Sequence, residues 1–337
     1  MYFFKFLPFL AMAVLVSVTS AEAQERPDFQ LPIDCTINEN CWILNYVDMD
    51  TAKDSAKDPF CHARTYDAHK GTDFAIASQA VMEEGVDVLA AKAGKIEKVR
   101  DGEIDRYPTE EDLEASKEAQ KECGNAILID HGSGLKTLYC HLKQNSITVK
   151  PGQEVEAGAK IAQVGLSGYT QFPHVHFGVL WEGAVIDPFT GYSNMKGCGE
   201  VKNPLWHPDS NITYTPTVLY SAGFHNAAPE LSTIDNGLHN NLSYTTEEPA
   251  LVFWFVGFGV REGDKIALEI TAPDGTVFSR REVEQPKTRT RQFYYAGKKI
   301  TDTALKQGTY KGKATLIRHN ELGEEDVYTI ERDIRVQ

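Results

Sequence analysis

Short apolar runs cut by glycines, rather than helical periodicity, mark the middle of this chain. Asp87–Ala91, Lys95–Val99, Ala126–Asp130, Leu135–Tyr139, Ile161–Val164 and His174–Leu180 all read as extended. Several are rich in Val and Ile and stop near Gly or Asp, as strands do. Pro151-Gly152 and Glu156-Ala157-Gly158 are turn signals between them. Residues 61–192 are therefore expected to form an all-β domain with tight turns. One stretch breaks the pattern: 101–122 (DGEIDRYPTEEDLEASKEAQKE) is acidic and helix-favouring. Thr109 is placed to cap a helix, and Glu110, Glu111 and Asp112 would complement its dipole. The stretch interrupts two strands that would otherwise make a hairpin. It is expected as an inserted surface helix, either a solvated face or a wall of a substrate groove.

Residues 24–60 form a polar, Asp-rich lead-in with little periodicity, and 193–210, rich in Gly, Pro and Asn, reads as a linker. A second β region follows over 211–337. Leu251–Phe258 (LVFWFVGF) is apolar on both faces, as in a central buried strand. Lys265–Ile270 alternates, Pro273-Asp274-Gly275 is a turn, and Gly308-Thr309-Tyr310 opens another strand. Turns recurring between short strands suit an immunoglobulin-like β-sandwich.

The N-terminus changes the picture of compartment. Lys5, an apolar run Phe6–Val18 and the small-residue site Ala21-Glu22-Ala23 make residues 1–23 a secretory signal peptide. The run is shorter than the ~20 residues that span a bilayer, and no later stretch is long and apolar enough to do so. The chain is expected to be exported, to a periplasm or beyond. Its 337 residues carry 34 Lys and Arg against 48 Asp and Glu, a net charge of −14. That excess argues against general binding to nucleic acid or anionic membrane. Export makes disulfides plausible for the six cysteines. Cys35 and Cys41 are close in sequence. Cys123 and Cys140 bracket the hairpin of Ile127–Asp130 and Lys136–Tyr139 and could face each other across it. Cys61 and Cys198 would remain, to tie the first domain's start to its end. Six cysteines allow fifteen connectivities, and the sequence alone does not choose among them.

The candidate chemistry lies in the first β domain. His69-Lys70-Gly71-Thr72-Asp73 is an H-x-x-x-D unit in which Gly71 is expected to let the backbone turn tightly. His174-Val175-His176 is an H-x-H unit within an apolar strand, so both imidazoles project from one face. Tyr139-Cys140-His141-Leu142 ends another strand. A hydrolytic zinc needs about three protein ligands and one open position. Four histidines and one aspartate can supply three ligands and two acid/base groups. No H-E-x-x-H occurs, which excludes the helix-based zinc protease design. His62, His131, His207, His225, His239 and His319 read as ordinary surface or core histidines.

These pieces also carry a resemblance. The order H-x-G-x-D (His69–Asp73), Y-x-H-L (Tyr139–Leu142), the glycine-spaced run Val149–Gly168 and P-H-x-H-F (Pro173–Phe177) resembles the lysostaphin-type (LytM-like) zinc metallopeptidases. Asp187-Pro188 matches the usual end of that domain. The resemblance spans roughly 60–192 and implies a duplicated-hybrid-motif-like antiparallel β catalytic domain. It implies one Zn2+ per chain held by His69, Asp73 and His176, with His141 and His174 as the catalytic pair. It implies an endopeptidase that hydrolyses peptide cross-links between peptidoglycan stems by zinc-activated water. Two departures stand out. Thr170-Gln171-Phe172 replaces the frequent Ser-Thr-Gly, and Gly178 replaces an acidic residue often found after H-x-H-F. Tyr169 and Phe172 are expected to line the groove. Two rivals stay open: a non-catalytic regulator or binding module of wall hydrolases on the same fold, and a secreted endopeptidase acting on foreign walls or proteins. The C-terminal sandwich is expected to bind or position, with a protein partner as one use; it or the 101–122 insert could also cover the groove.

Overall fold

A computed structural model describes the chain except for residues 2–27, 120, 238–242, 302–303 and 320–322. The expected signal peptide, Met1 apart, and His239 fall outside the described residues. The first half contains strands β1 (Cys41–Ile43), β2 (Thr72–Ile76), β3 (Asp87–Leu89), β4 (Gly94–Arg100), β5 (Asn125–Asp130), β6 (Leu135–Leu142), β7 (Glu154–Val155), β8 (Lys160–Gln163), β9 (His174–Trp181) and β10 (Ala184–Ile186). Short helices α1 (Gln79–Glu84) and α2 (Glu110–Glu118) interrupt them.

The main sheet runs β1-β2-β9-β6-β5-β4-β7, with β10 beside β9, and its pairings are antiparallel. Strands β3 and β8 form a separate two-stranded sheet whose Val88, Ile161 and Ala162 join the same hydrophobic core. Alternate residues of β5 point into the core, so Ile127 and Ile129 are buried while Leu128 is half-buried. The strands expected from the sequence are present, with ends that differ by up to three residues. The lead-in is more ordered than its polarity implied. Phe29, Ile33, Tyr46 and Val47 are fully buried, and β1 pairs with β2 at the sheet's edge.

The insert behaves as its charge pattern predicts only over 110–118. Asp112 N–H donates to Thr109 Oγ1 (3.2 Å) and Asp112 Oδ2 accepts from Thr109 N–H (2.8 Å), a reciprocal cap. Upstream, Asp105 pins a non-helical stretch by accepting from Leu166 N–H (2.7 Å) and Gln144 N–H (2.8 Å). Strands β4 and β5, which flank the insert, pair as the two arms of a hairpin. The cysteines pair as Cys35–Cys41, Cys61–Cys198 and Cys123–Cys140, the three groupings that sequence proximity and the expected hairpin suggested. Such pairing is that of a protein made for an oxidising, extracellular or periplasmic setting. Segment 193–210 carries Cys198 and buries Leu205 and Trp206 against the first domain.

The C-terminal half holds α3 (Leu231–Asp235) and seven strands: β11 (Val218–His225), β12 (Ala250–Val260), β13 (Lys265–Thr271), β14 (Val277–Glu284), β15 (Arg289–Lys299), β16 (Gly308–His319) and β17 (Glu325–Val336). They form one sheet of order β11-β12-β15 and another of order β14-β13-β16-β17. Side chains from both sheets share one core, an immunoglobulin-like sandwich. All eleven residues of β12 are buried. Its two faces go to different places. Leu251, Phe253 and Phe255 enter the sandwich core, whereas Trp254, Val256 and Phe258 pack with Trp42, Leu44, Ala75 and Phe172 of the first domain. A strand apolar on both faces thus welds the two halves together. Each such large side chain contributes on the order of 1.5–3 kcal/mol when buried. Arg64 crosses the same seam, fully buried, donating to the carbonyls of Leu44, Thr215, Pro216 and Ile43.

Candidate metal centre and groove

Strands β2 and β9 lie side by side in the main sheet, second and third from the β1 edge, and their register sets the site. Asp73 pairs directly with His176, and Ala75 with His174. His176 and His174, two residues apart, project from one face beside Asp73. His69 arrives from the turn before β2. Its Nε2 lies 3.1 Å from Asp73 Oδ1 and 3.1 Å from His176 Nδ1, while His176 Nδ1 lies 2.9 Å from Asp73 Oδ1. Three donor atoms therefore converge on one point, with His69 and Asp73 almost fully buried. Four ligands around a tetrahedral zinc at about 2.0–2.1 Å stand about 3.3 Å apart, so this triangle is close to the size such an ion needs.

The proton positions are set by carbonyls. His69 Nδ1 lies 2.6 Å from Tyr46 O, and a carbonyl only accepts, so Nδ1 carries the hydrogen and Nε2 keeps its lone pair for a metal. Asp73 Oδ2 accepts from Asn45 Nδ2 (2.9 Å), which turns Oδ1 towards the two histidines. Gly71 is required for a reason other than a tight turn. It has no left-handed backbone, but a Cβ there would stand 2.6 Å from His176 Nε2.

His141 and His174 complete the cluster without joining the triangle. Their ring centroids are 4.7 Å apart, and His174 Nε2 lies 3.5 Å from Asp73 Oδ1. His141 Nδ1 donates to Ser167 O (2.9 Å) and His174 Nδ1 to Phe172 O (2.7 Å). Both rings therefore carry hydrogen on Nδ1; Nε2 of His141 is left open, whereas Nε2 of His174 faces Asp73 Oδ1. His141 has φ of 60°, in the left-handed region that a non-glycine residue adopts at a cost of about 1–2 kcal/mol. Its N–H donates to Cys123 O (2.9 Å), and the Cys123–Cys140 bridge sits beside it.

Burial drives the His141 imidazole well below its usual pKa, with His174 and His176 adding repulsion. Burial also lowers His176, against the pull of Asp73. At His174 burial is outweighed by the Asp73 carboxylate, which raises it. Burial works against the charged form of Asp73, yet His69 and His174 hold it well below the carboxylate range.

The cluster opens into a cavity of about 520 Å³. One side is Leu44, Asn45 and Tyr66; another is the loop Tyr169–Phe172; a third is Leu231, Thr290 and Arg291 of the sandwich. All five residues singled out from the sequence thus meet at one place. Other described histidines make contacts elsewhere: His131 is held by Ala93 O and Thr137 Oγ1, and His207 lies between Asp28 and Asp209. Asn45, Tyr46 and the sandwich residues were missed. For the first two a signal existed, because Cys41–Val47 (CWILNYV) is a nearly unbroken apolar run with one amide inside it.

Residues 67–188 match Peptidase family M23. Over 119 residues the chain is 35% identical to the peptidoglycan DD-endopeptidase ShyB of Vibrio cholerae, covering 35% of this chain and 22% of that one. It is 29% identical over 105 residues to the murein hydrolase activator NlpD of Escherichia coli, covering 31% and 24%. The chain thus spans under a quarter of the length of these curated relatives. The solved catalytic domain of the antimicrobial peptidase lysostaphin from Staphylococcus simulans overlays 46% of this chain and 87% of its own, at 22% identity and a TM-score of 0.26. The match, the order of the motifs and the all-β architecture agree in marking residues 67–188 as similar to peptidase family M23.

Proposed function

We propose that the chain is an exported zinc metallo-endopeptidase that hydrolyses peptide cross-links of bacterial peptidoglycan. One observation carries the reading. Three donor atoms, His69 Nε2, Asp73 Oδ1 and His176 Nδ1, stand 2.9–3.1 Å apart beside two histidines whose Nδ1 atoms are tied to backbone carbonyls. His69, Asp73 and His176 would hold one zinc ion. When bound, that ion supplies Lewis acidity and makes a water acidic enough to ionise near neutral pH.

The remaining work falls to the chain itself. His141 and His174 present Nε2 to the cavity, so either can accept the proton of an attacking water and return it to the leaving amine. Their Nδ1 bonds to backbone carbonyls keep each ring in the tautomer that can do so. The low basicity that burial imposes on His141 suits a proton acceptor that must give the proton back. Tyr66 and Tyr169 flank the cavity, exposed, and would contact an extended peptide.

The likeness to NlpD favours a second reading, a non-catalytic activator of murein hydrolases on the same fold. The complete five-residue set speaks for catalysis. A third, an endopeptidase directed at foreign walls or proteins, shares the chemistry and differs in target. Purified full-length protein is to be assayed for zinc and for release of peptides from isolated peptidoglycan. Zinc with peptide release supports the endopeptidase; zinc-independent stimulation of a separate hydrolase, without release, supports the activator.

A further inference from the structure

An aromatic ring, Phe172, joins the sandwich to the loop that holds His174. Phe172 lies in the loop that enters β9 and is 3% exposed. On one side its carbonyl accepts the Nδ1 hydrogen of His174 at 2.7 Å, and Thr170 Oγ1 braces the same carbonyl at 2.8 Å. On the other side the Arg291 guanidinium carbon stands 4.3 Å from the centre of its ring.

Arg291 is not a loose surface cation. Its two terminal nitrogens donate to both carboxylate oxygens of Asp235, and Nε donates to the Tyr220 hydroxyl at 2.9 Å. All three residues belong to the sandwich, and Tyr220 and Phe258 also meet the Phe172 ring edge-on at 6.0 Å. A guanidinium held this way over a desolvated aromatic face is attracted to it more strongly than at an exposed site. In the Thr170-Gln171-Phe172 loop, Phe172 supplies the ring that such a cation can grip.

Resting on the endopeptidase reading, we propose that Arg291 is a positioning residue that fixes Phe172 and, through the Phe172 carbonyl, the tautomer and ring orientation of His174. The sandwich is then part of the active site. Arg291, Thr290 and Leu231 line the same cavity as His141 and His174, so the domain that holds the loop also walls the groove.

The test uses the full chain, with zinc content and thermal unfolding measured on every sample. On cross-linked muropeptide dimers, Arg291→Ala is expected to lower kcat about ten- to a hundredfold, leaving KM and zinc little changed. Arg291→Lys, which keeps a cation over the ring, is expected to recover part of the loss. Phe172→Leu leaves the Arg291–Asp235 pair in place and removes only the stack. It is expected to lower kcat to a similar degree, and the double variant is expected to be no worse than either single one. Ring-15N NMR supplies a readout independent of turnover: His174 is expected as a single Nδ1–H tautomer in wild type and as a mixture in Arg291→Ala and Phe172→Leu. Wild-type kcat in a folded variant, a loss confined to KM, additive losses in the double variant, or an unchanged His174 tautomer would each overturn the inference. An inactive, zinc-loaded wild type would instead overturn the endopeptidase reading, and the NMR comparison alone would then decide the role of Arg291.

Discussion

Asp73 and His176 face each other as a direct register pair across β2 and β9, with Oδ1 and Nδ1 2.9 Å apart. A ladder position, not a flexible loop, thus sets the separation of two candidate ligands. His69 joins them four residues upstream of Asp73, and His141 and His174 stand apart from the triangle. On the proposed reading, this arrangement separates holding a metal from moving a proton.

Asp73→Ala removes a donor from the centre of the triangle and is expected to abolish stable zinc binding. His141→Ala removes none and is expected to retain about one zinc per chain while activity falls about 10²–10⁴-fold. Elemental analysis beside a peptide-release assay checks the pair. Equal zinc loss in both variants would contradict the division.

Asn45 holds the far oxygen of Asp73 and is itself buried. Asn45→Ala is expected to weaken zinc affinity about 10–100-fold with the fold intact, as loss of a partner behind a ligand does. Competition with a chromogenic chelator measures it. An unchanged affinity would show that Oδ2 needs no donor.

Much of this site was legible in the sequence because two local periods define it. H-x-H on a strand must place both rings on one face, and the strand lengths and turn glycines foretold the sheet. What the sequence hid came from long range. Asn45 and Tyr46 sit in a lead-in whose polar ends masked an apolar run, and they reach the ligands only because β1 pairs with β2. Leu251–Phe258 announced a strand buried on both faces. Nothing local said that the second face would cover the first domain, or that Arg291, 115 positions beyond His176, would line its cavity. Gly71 was flagged correctly as needed, but its cause is the closeness of His176 rather than the turn.

The Cys123–Cys140 bridge closes a short loop beside His141, whose strained backbone donates to Cys123 O. The double variant Cys123→Ser with Cys140→Ser is expected to lose about 3 kcal/mol of stability. Turnover is expected to fall further than zinc content, because the bridge holds a proton carrier and no ligand. Urea unfolding and kinetics at matched zinc occupancy separate the two effects. Full turnover in the double variant would show that the backbone holds His141 unaided.

Asp187 is fully buried; Oδ2 accepts from the N–H and the hydroxyl of Thr190, while burial pushes its pKa up to about 7. The folded state therefore holds a proton that the unfolded chain releases near pH 4. Its contribution is complete below about pH 4 and is lost as pH rises towards 7, at up to ~1.4 kcal/mol per pH unit. Asp187→Asn cannot ionise, so its stability relative to wild type is expected to rise from pH 4.5 to pH 7. Urea unfolding of both proteins at the two values checks this; a constant difference would contradict it.

On the proposed reading, this groove cuts peptide cross-links with a metal held by His69, Asp73 and His176. The most direct measurement is mass analysis of purified, cross-linked peptidoglycan digested by the full-length protein loaded with one equivalent of zinc. The predicted result is conversion of cross-linked muropeptide dimers to monomers, with glycan strands intact and with no conversion by the Asp73→Ala or His141→Ala protein. Dimers left whole by a fully zinc-loaded wild type, or cleaved equally by both variants, would contradict it.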